Sequence, residues 1–204
     1  MKTYAIGDLH GRVDLLNAAL RFIGYEPCKI VFLGDYIDRG PDSAKVVARL
    51  RAGPPEGQEW VCLRGNHEDM MVDAILGEGL DQWLMNGGDA TCASYAMSDD
   101  LLDDVEWMKS LPVMYEDDRF VYVHAGLFEG REDDRNITGW YRYRGAKGEA
   151  YKGKTVVHGH TPVDHPEIFS ERVNIDIGAA FSGRLAIFHA HNSNTFTFTI
   201  IQGS

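Results

Sequence analysis

Five apolar runs in this chain end in the same manner, each handing the backbone to a side chain that can hold a cation or a proton. Tyr4-Ala5-Ile6 leads into Gly7-Asp8-Leu9-His10-Gly11, and Val31-Phe32-Leu33 into Gly34-Asp35-Tyr36-Ile37-Asp38-Arg39-Gly40. Val61-Cys62-Leu63 leads into Arg64-Gly65-Asn66-His67-Glu68. Further on, Val121-Tyr122-Val123 runs into His124-Ala125-Gly126, and Val156-Val157 into His158-Gly159-His160-Thr161. Loops at the carboxyl ends of strands in an open α/β sheet are where sites gather. Glycine at such an exit lets the backbone turn sharply and swing its neighbour's side chain into a shared crevice.

The segments between these runs supply the rest of an α/β pattern. Lys2–Ile6 predicts a strand, Val13–Ile23 a helix with Leu16, Leu20 and Ile23 on one face, and Lys29–Leu33 a buried strand. Pro41 opens a helix over Asp42–Arg51, where its missing N–H costs nothing, and Gly53-Pro54-Pro55 breaks the chain before the strand Trp60–Leu63. Residues 67–111 read as helical, including Leu101–Leu111. The acidic cluster Asp99, Asp100, Asp103 and Asp104 suits the positive end of that last helix and is expected as solvated surface. Strand patterns return at Phe120–Val123, Thr155–Val157, Val173–Ile177, Leu185–His189 and Thr195–Ile201, with 128–152 as a long polar loop. Strands spaced by helices imply βαβ units and a largely buried sheet, and the expectation is one α/β domain over 1–204.

Composition narrows the function. At 204 residues and 44% hydrophobic, the chain can close one sizeable core. Its 31 acidic and 20 basic side chains leave a formal charge of −11, which opposes adhesion to nucleic acid or anionic lipid. Any phosphate it handles must therefore meet positive charge concentrated locally. Neither a signal-peptide pattern nor an apolar stretch of membrane-spanning length is seen, so the expectation is a cytoplasmic protein with no membrane partner. Cys28, Cys62 and Cys92 have no C-x-x-C spacing and are expected as reduced, mostly buried thiols.

The strand exits deliver Asp8, His10, Asp35, Asn66, His124 and His160, all with oxygen or imidazole donors. Such groups facing one point suit two divalent ions that share one carboxylate. The absence of thiolate favours manganese, iron, zinc or magnesium over a closed structural zinc. Carboxylates and histidines buried together with no cation would be strongly unfavourable.

The ordered motifs Gly-Asp-Leu-His-Gly from Gly7, Gly-Asp-Tyr-Ile-Asp-Arg-Gly from Gly34 and Arg-Gly-Asn-His-Glu from Arg64 resemble the signature of the phosphoprotein phosphatase family, within the calcineurin-like metallophosphoesterases. The resemblance extends through His124-Ala-Gly and Gly159-His160-Thr to Asn174-Ile-Asp-Ile-Gly-Ala-Ala, and the compact length is similar to bacterial and phage-type members. It implies a β-sandwich flanked by helices. It also implies one metal held by Asp8, His10 and Asp35 and another by Asp35, Asn66, His124 and His160, with manganese first among the candidates. Two ions about 3.5–4 Å apart can share a water, lower its pKa toward neutrality and clamp the phosphoryl oxygens during in-line attack. His67 is the candidate general acid, with Asp38 to fix its tautomer. Arg39 is expected to grip the substrate phosphate through its planar fork, together with Asn66. In similar bacterial members a second arginine follows a tryptophan by two positions. Trp140-Tyr141-Arg142 fits that pattern, with Arg144 as the next candidate. Arg64 is expected to support its loop, and His158 to be buried and hydrogen-bonded.

The leading function is removal of phosphate from phosphorylated protein or peptide side chains, Ser/Thr and Tyr included, with no nucleic-acid partner. The enzymatic alternative is hydrolysis of a dinucleoside polyphosphate such as diadenosine tetraphosphate. That related branch commonly has Gly-Asn-His-Asp where this chain has Glu68. A metal-binding scaffold without catalysis is the non-enzymatic alternative, and the completeness of the ligand set, acid and Arg39 stands against it.

Overall fold

Side chains alternate across each strand, so an apolar run of strand length is buried on both faces and must be covered twice. The computed structural model, which describes residues 1–127, 136–140, 151–191 and 195–203, shows how this is met. β1 (Lys2–Ile6), α1 (Val13–Ile23), β2 (Cys28–Phe32), α2 (Ser43–Arg51) and β3 (Gln58–Cys62) form two consecutive βαβ units. A helical excursion follows: α3 (Asn66–Ile75), α4 (Leu80–Trp83), a wider turn over 84–88 kinked at Gly87, α5 (Asp89–Tyr95) and α6 (Leu101–Ser110). The chain then makes β4 (Met114–Glu116), β5 (Phe120–Val123), a turn over 136–140, β6 (Thr155–His158), β7 (Glu167–Ile168), β8 (Arg172–Asn174), α7 (Ala179–Ser182), β9 (Arg184–Ala190) and β10 (Phe196–Gln202).

The strands make two five-stranded sheets, ordered β10-β9-β1-β2-β3 and β4-β5-β6-β8-β7. β1, β2 and β3 are parallel, with Ala5 beside Val31 and Val31 beside Val61. β5, β6 and β8 are parallel in the second sheet, and the remaining pairings are antiparallel. One core lies between the sheets, where Ala5, Val31, Leu33 and Phe188 meet Phe120, Tyr122, Val157 and Val173. The alternate positions Ile6, Ile30 and Phe32 face the other way, into a second core under α1, α2, α3 and α6. Val121, Val123 and Val156 turn outward from the second sheet onto Ile137 and Tyr151. The result is a β-sandwich flanked by helices.

Several sequence expectations need correcting. Asp104 is buried, not solvated: it faces α2 and α5, where Arg51 and the Tyr95 hydroxyl, at 2.7 Å, donate to its carboxylate. Only Cys28 is buried; Cys62 is half-buried and Cys92 exposed, although all three are free. The strand expected over Val173–Ile177 stops at Asn174, because the next residues leave the sheet to carry Asp176. Among the described residues no helix is long and apolar enough to cross a membrane.

Phe188 anchors the inter-sheet core. It is fully buried, with ring centroids of Phe120 and Phe196 at 5.2 and 5.1 Å. Phe188→Ala should lower the unfolding free energy by about 3–5 kcal/mol in urea denaturation, the cost of a large core cavity.

Candidate metal centre

The exits of β1, β2, β3, β5, β6 and β8 meet at one edge of the sandwich, which is stitched across the two sheets. His124 Nδ1–H donates to the Leu33 carbonyl at 2.9 Å, and the His160 N–H lies 3.2 Å from both Asp8 carboxylate oxygens. Among the described residues, non-glycine side chains with positive φ are His10 (43°), Asp35 (52°), Asp38 (71°), Arg39 (67°), Lys152 (52°) and His160 (65°). All but Lys152 belong to the set singled out from sequence. Such backbone strain costs about 1–3 kcal/mol per residue and persists where the surroundings over-determine it. Two glycines make room for it: a Cβ on Gly65 would stand 2.2 Å from Asp35 Oδ1, and one on Gly159 2.1 Å from Asp8 Oδ1.

Asp35 stands at the middle. Its Oδ2 lies 3.2 Å from His124 Nε2, 3.7 Å from His10 Nε2 and 3.8 Å from His67 Nε2. Ligand atoms of Asp35, His124 and His160 fall within 4.8 Å of one another, and so do those of His10, Asp35 and His67. Asn66 Oδ1 joins the first group, 3.1 Å from His124 Nε2 and 2.8 Å from His160 Nδ1. Asp8 lies at the same edge, its two carboxylate oxygens 3.2 Å from the His160 N–H, and His67 falls in a trio with His10 and Asp35.

The electrostatics favour a cation. His10 Nδ1–H donates to the Ile37 carbonyl at 2.8 Å, as His124 does to Leu33, so each ring turns its Nε2 inward. Burial alone would depress the His124 pKa, but the charges of Asp35 and Asp8 outweigh it and push it up to about 10. A lone pair facing carboxylate oxygen demands a positive charge between them, a proton or a metal ion. Burial would raise the Asp35 carboxyl, yet the imidazoles of His124, His67 and His10 hold it well below the usual carboxylate range. Asp8 goes the other way, raised by burial and then by Asp176. Burial takes His10 down to about 3, keeping it neutral and free to ligate. The buried oxygen and imidazole donors therefore fit divalent cations.

Beside this cluster sits a dyad. His67 Nδ1 lies 2.6 Å from Asp38 Oδ2, leaving Nε2 to face the cluster. Asp38 is fully buried and over-held: Trp83 Nε1 donates to both oxygens at 3.0 Å, and Thr91 Oγ1–H to Oδ1 at 2.7 Å. Arg39 points one guanidinium nitrogen at His10 Nε2 and the other at His67 Nε2, the latter at 3.0 Å. Its backbone N–H donates to the Gly87 carbonyl at 3.1 Å, which backs the arginine with the 84–88 turn. Across from it lies the exposed Phe181 ring, 5.6 Å from the guanidinium carbon. Phe181 edges a hollow of about 720 Å³ that Pro162, His165, Ile177 and Arg184 also line.

Sequence reasoning passed over several supports. Glu68 is fully buried and accepts the backbone N–H groups of Asp35 (2.9 Å), Tyr36 (2.8 Å) and Gly65 (2.9 Å), tying two strand-exit loops together. Trp83, Thr91 and Gly87 come from the helical excursion, and only the Gly87-Gly88 pair within a helical pattern hinted at a special turn there. Arg64 does support its loop, donating to the Lys109 carbonyl at 2.9 Å and pairing with Asp69. His158 is buried, with Arg172 Nη1 at 3.1 Å from its Nε2. Arg142 and Arg144 lie outside the described residues.

Comparison with known proteins agrees with this geometry. Residues 1–192 match the family described as calcineurin-like phosphoesterase. The chain is 31% identical over 202 residues to serine/threonine-protein phosphatase 1 of Salmonella typhimurium, covering 90% of this chain and 89% of the relative. It is 28% identical over 220 residues to a bis(5'-nucleosyl)-tetraphosphatase of Bacillus cereus, covering 91% and 89%. In fold it is similar to a metallophosphoesterase from Sphaerobacter thermophilus, with a TM-score of 0.69 at 18% identity over 100% of this chain and 90% of that one. The motifs at the strand exits, the clustered His and Asp donors and the match over nearly the whole length agree: the chain belongs to the calcineurin-like phosphoesterases, hydrolases that work with divalent metal ions.

Proposed function

We propose that this chain is a phosphomonoesterase that removes phosphate from phosphorylated protein side chains, Ser/Thr and Tyr esters included. Two divalent cations, manganese first among the candidates, would be held by Asp8, His10 and Asp35 and by Asp35, Asn66, His124 and His160. The observation that carries the reading is the reach of Arg39. One guanidinium faces His10 Nε2, in the ligand cluster, and His67 Nε2, in the acid dyad. A phosphate gripped there lies between cation ligands and a proton donor. The relative named serine/threonine-protein phosphatase supports this substrate class. The relative named bis(5'-nucleosyl)-tetraphosphatase makes a dinucleoside polyphosphate the second reading. The free thiols suit a reducing compartment, and we place the protein in the cytoplasm.

The cations, when bound, neutralise charge on the phosphoryl oxygens and bring the pKa of water toward neutrality. The chain's own residues do the rest. Arg39, with Asn66 and with Arg142 as the second arginine, orients the phosphate and stabilises charge spread over its equatorial oxygens. With Nδ1 committed to Asp38, Nε2 is the atom through which His67 would pass a proton to the departing oxygen, once Arg39, which donates to Nε2 here, turns to the phosphate. Asp38 cannot wander, because Trp83 and Thr91 hold it. The hollow beside Phe181 leaves room for the departing group and the peptide attached to it.

A panel of phosphoserine peptide, phosphotyrosine peptide and diadenosine tetraphosphate, assayed with Mn²⁺, tests the substrate class. The highest kcat/KM should fall on a phosphopeptide; preference for the dinucleotide would replace the reading, and no turnover by the fully metallated protein would end it. In the same assay His67→Asn should keep its metal content and lower kcat by about 10²–10⁴-fold on phosphoserine, with a smaller loss on nitrophenyl phosphate, whose leaving group needs no proton. Equal losses on both would remove His67 from the acid role.

Metal binding itself should depend on pH with a definite sign. His124, held near 10 in the metal-free protein, must give up its proton to ligate. Below that value the apparent Mn²⁺ affinity should rise with pH, by about tenfold per unit for one proton displaced. Calorimetry in buffers of different ionisation enthalpy will show the proton release, and a pH-independent affinity would exclude His124 as a ligand.

A further inference from the structure

Asp176 belongs to the sequence motif that ends the family resemblance, yet it falls in neither ligand trio. It follows β8 where the chain leaves the sheet: its N–H donates to Asn174 Oδ1 at 3.0 Å, and its Oδ1 accepts the Gly178 N–H at 2.8 Å. That turn accounts for half of the carboxylate. The other oxygen, Oδ2, is buried and has no hydrogen-bond partner among the described residues, in a side chain only 2% exposed. A buried carboxylate oxygen without a donor is costly, and native structures rarely keep one without a compensating cation or proton.

Its surroundings include Asp8, one of the proposed metal ligands. A Cβ on Gly159 would meet Asp8 Oδ1 at 2.1 Å and Asp176 Cβ at 3.7 Å, so the two acids flank the bare face of one glycine. Asp8, Asp35 and Asp176 are thus three buried acids at one edge of the sandwich.

We propose that Asp176 is a positioning residue of the metal centre, a buried anion beside Asp8 whose charge strengthens the hold on the cations without ligating them. The inference rests on the dimetal reading above. It makes the carboxylate a source of strain in the metal-free protein and of affinity in the loaded one. Those two effects have opposite signs, which a hydrogen-bonding turn residue would not produce.

Asp176→Asn keeps the shape and the oxygen that accepts from Gly178 while removing the charge. Titration calorimetry with Mn²⁺ at about pH 8 should show affinity weakened by about tenfold. In thermal melts without metal the variant should unfold at the same temperature as the parent or a few degrees higher. Asp176→Glu, which restores the charge, should recover part of the affinity. Mn²⁺ affinity unchanged in Asp176→Asn would overturn the inference alone, leaving the dimetal reading intact. Weaker binding together with a lower metal-free melting temperature would also overturn it, since a damaged turn would then explain the loss. Failure of the parent protein to bind Mn²⁺ would overturn both.

Discussion

The carboxylate of Asp35 faces three imidazoles, and the local structure is arranged to keep it there. Its backbone sits in the left-handed region, its Oδ1 accepts the His67 N–H at 3.1 Å, and its own N–H is taken by Glu68. Gly65 stands aside because any Cβ would overlap the carboxylate. In isolation this arrangement is unfavourable twice over, in backbone strain and in buried charge. The parallel packing of β1, β2 and β3 against β5, β6 and β8 makes it tolerable, because the strands bring complementary groups to the same edge from both sheets. The energy of the sandwich core is thereby used to hold a charge cluster that water would otherwise disperse.

That balance also explains how stability and function divide the chain. Inner residues such as Ala5, Val31 and Phe188 are apolar, fully buried and anonymous in chemistry. One to three positions beyond the ends of β1, β2 and β5, the side chains become Asp8, Asp35 and His124, also buried but charged or polar. A strand can make this change over so short a distance only where the sheet ends and the backbone turns. Positive φ at His10, Asp35, Asp38, Arg39 and His160 is the cost of that turn.

Much of this was legible in the sequence, for reasons that can be named. β1, α1 and β5 fall at the predicted residues because their periodicity is uninterrupted and their ends carry glycine or histidine. The ligating residue types were visible because each follows an apolar run directly. Trp83 and Thr91 were not, since their contacts with Asp38 span 45 and 53 positions and depend on how α4 and α5 fold back over the β2 exit. Asp104 misled for a related reason: a charge pattern at a helix start shows which end is negative, not which face meets Arg51. Val173, Ile175 and Ile177 alternate as in a strand, but the bonds of Asp176 and Gly178 override that pattern after Asn174.

Glu68 shows why one residue can look like a substrate marker while doing something else. Within the Gly-Asn-His-Glu motif it differs from the Asp common in the dinucleotide-hydrolysing branch. Its carboxylate, however, is occupied by three backbone N–H groups from the β2 and β3 exits. Burial, and then the charge of Asp35, raise its pKa to about 7, so those donors are needed to keep it in place. An aspartate on the same backbone is one methylene shorter and could not span the loops at these distances without drawing Asp35 and Gly65 together. The choice of Glu or Asp at this position is therefore coupled first to the spacing of the two loops that carry Asp35 and Asn66. Any relation to substrate has to pass through that spacing, and through the reach of Arg39 and His67 across it.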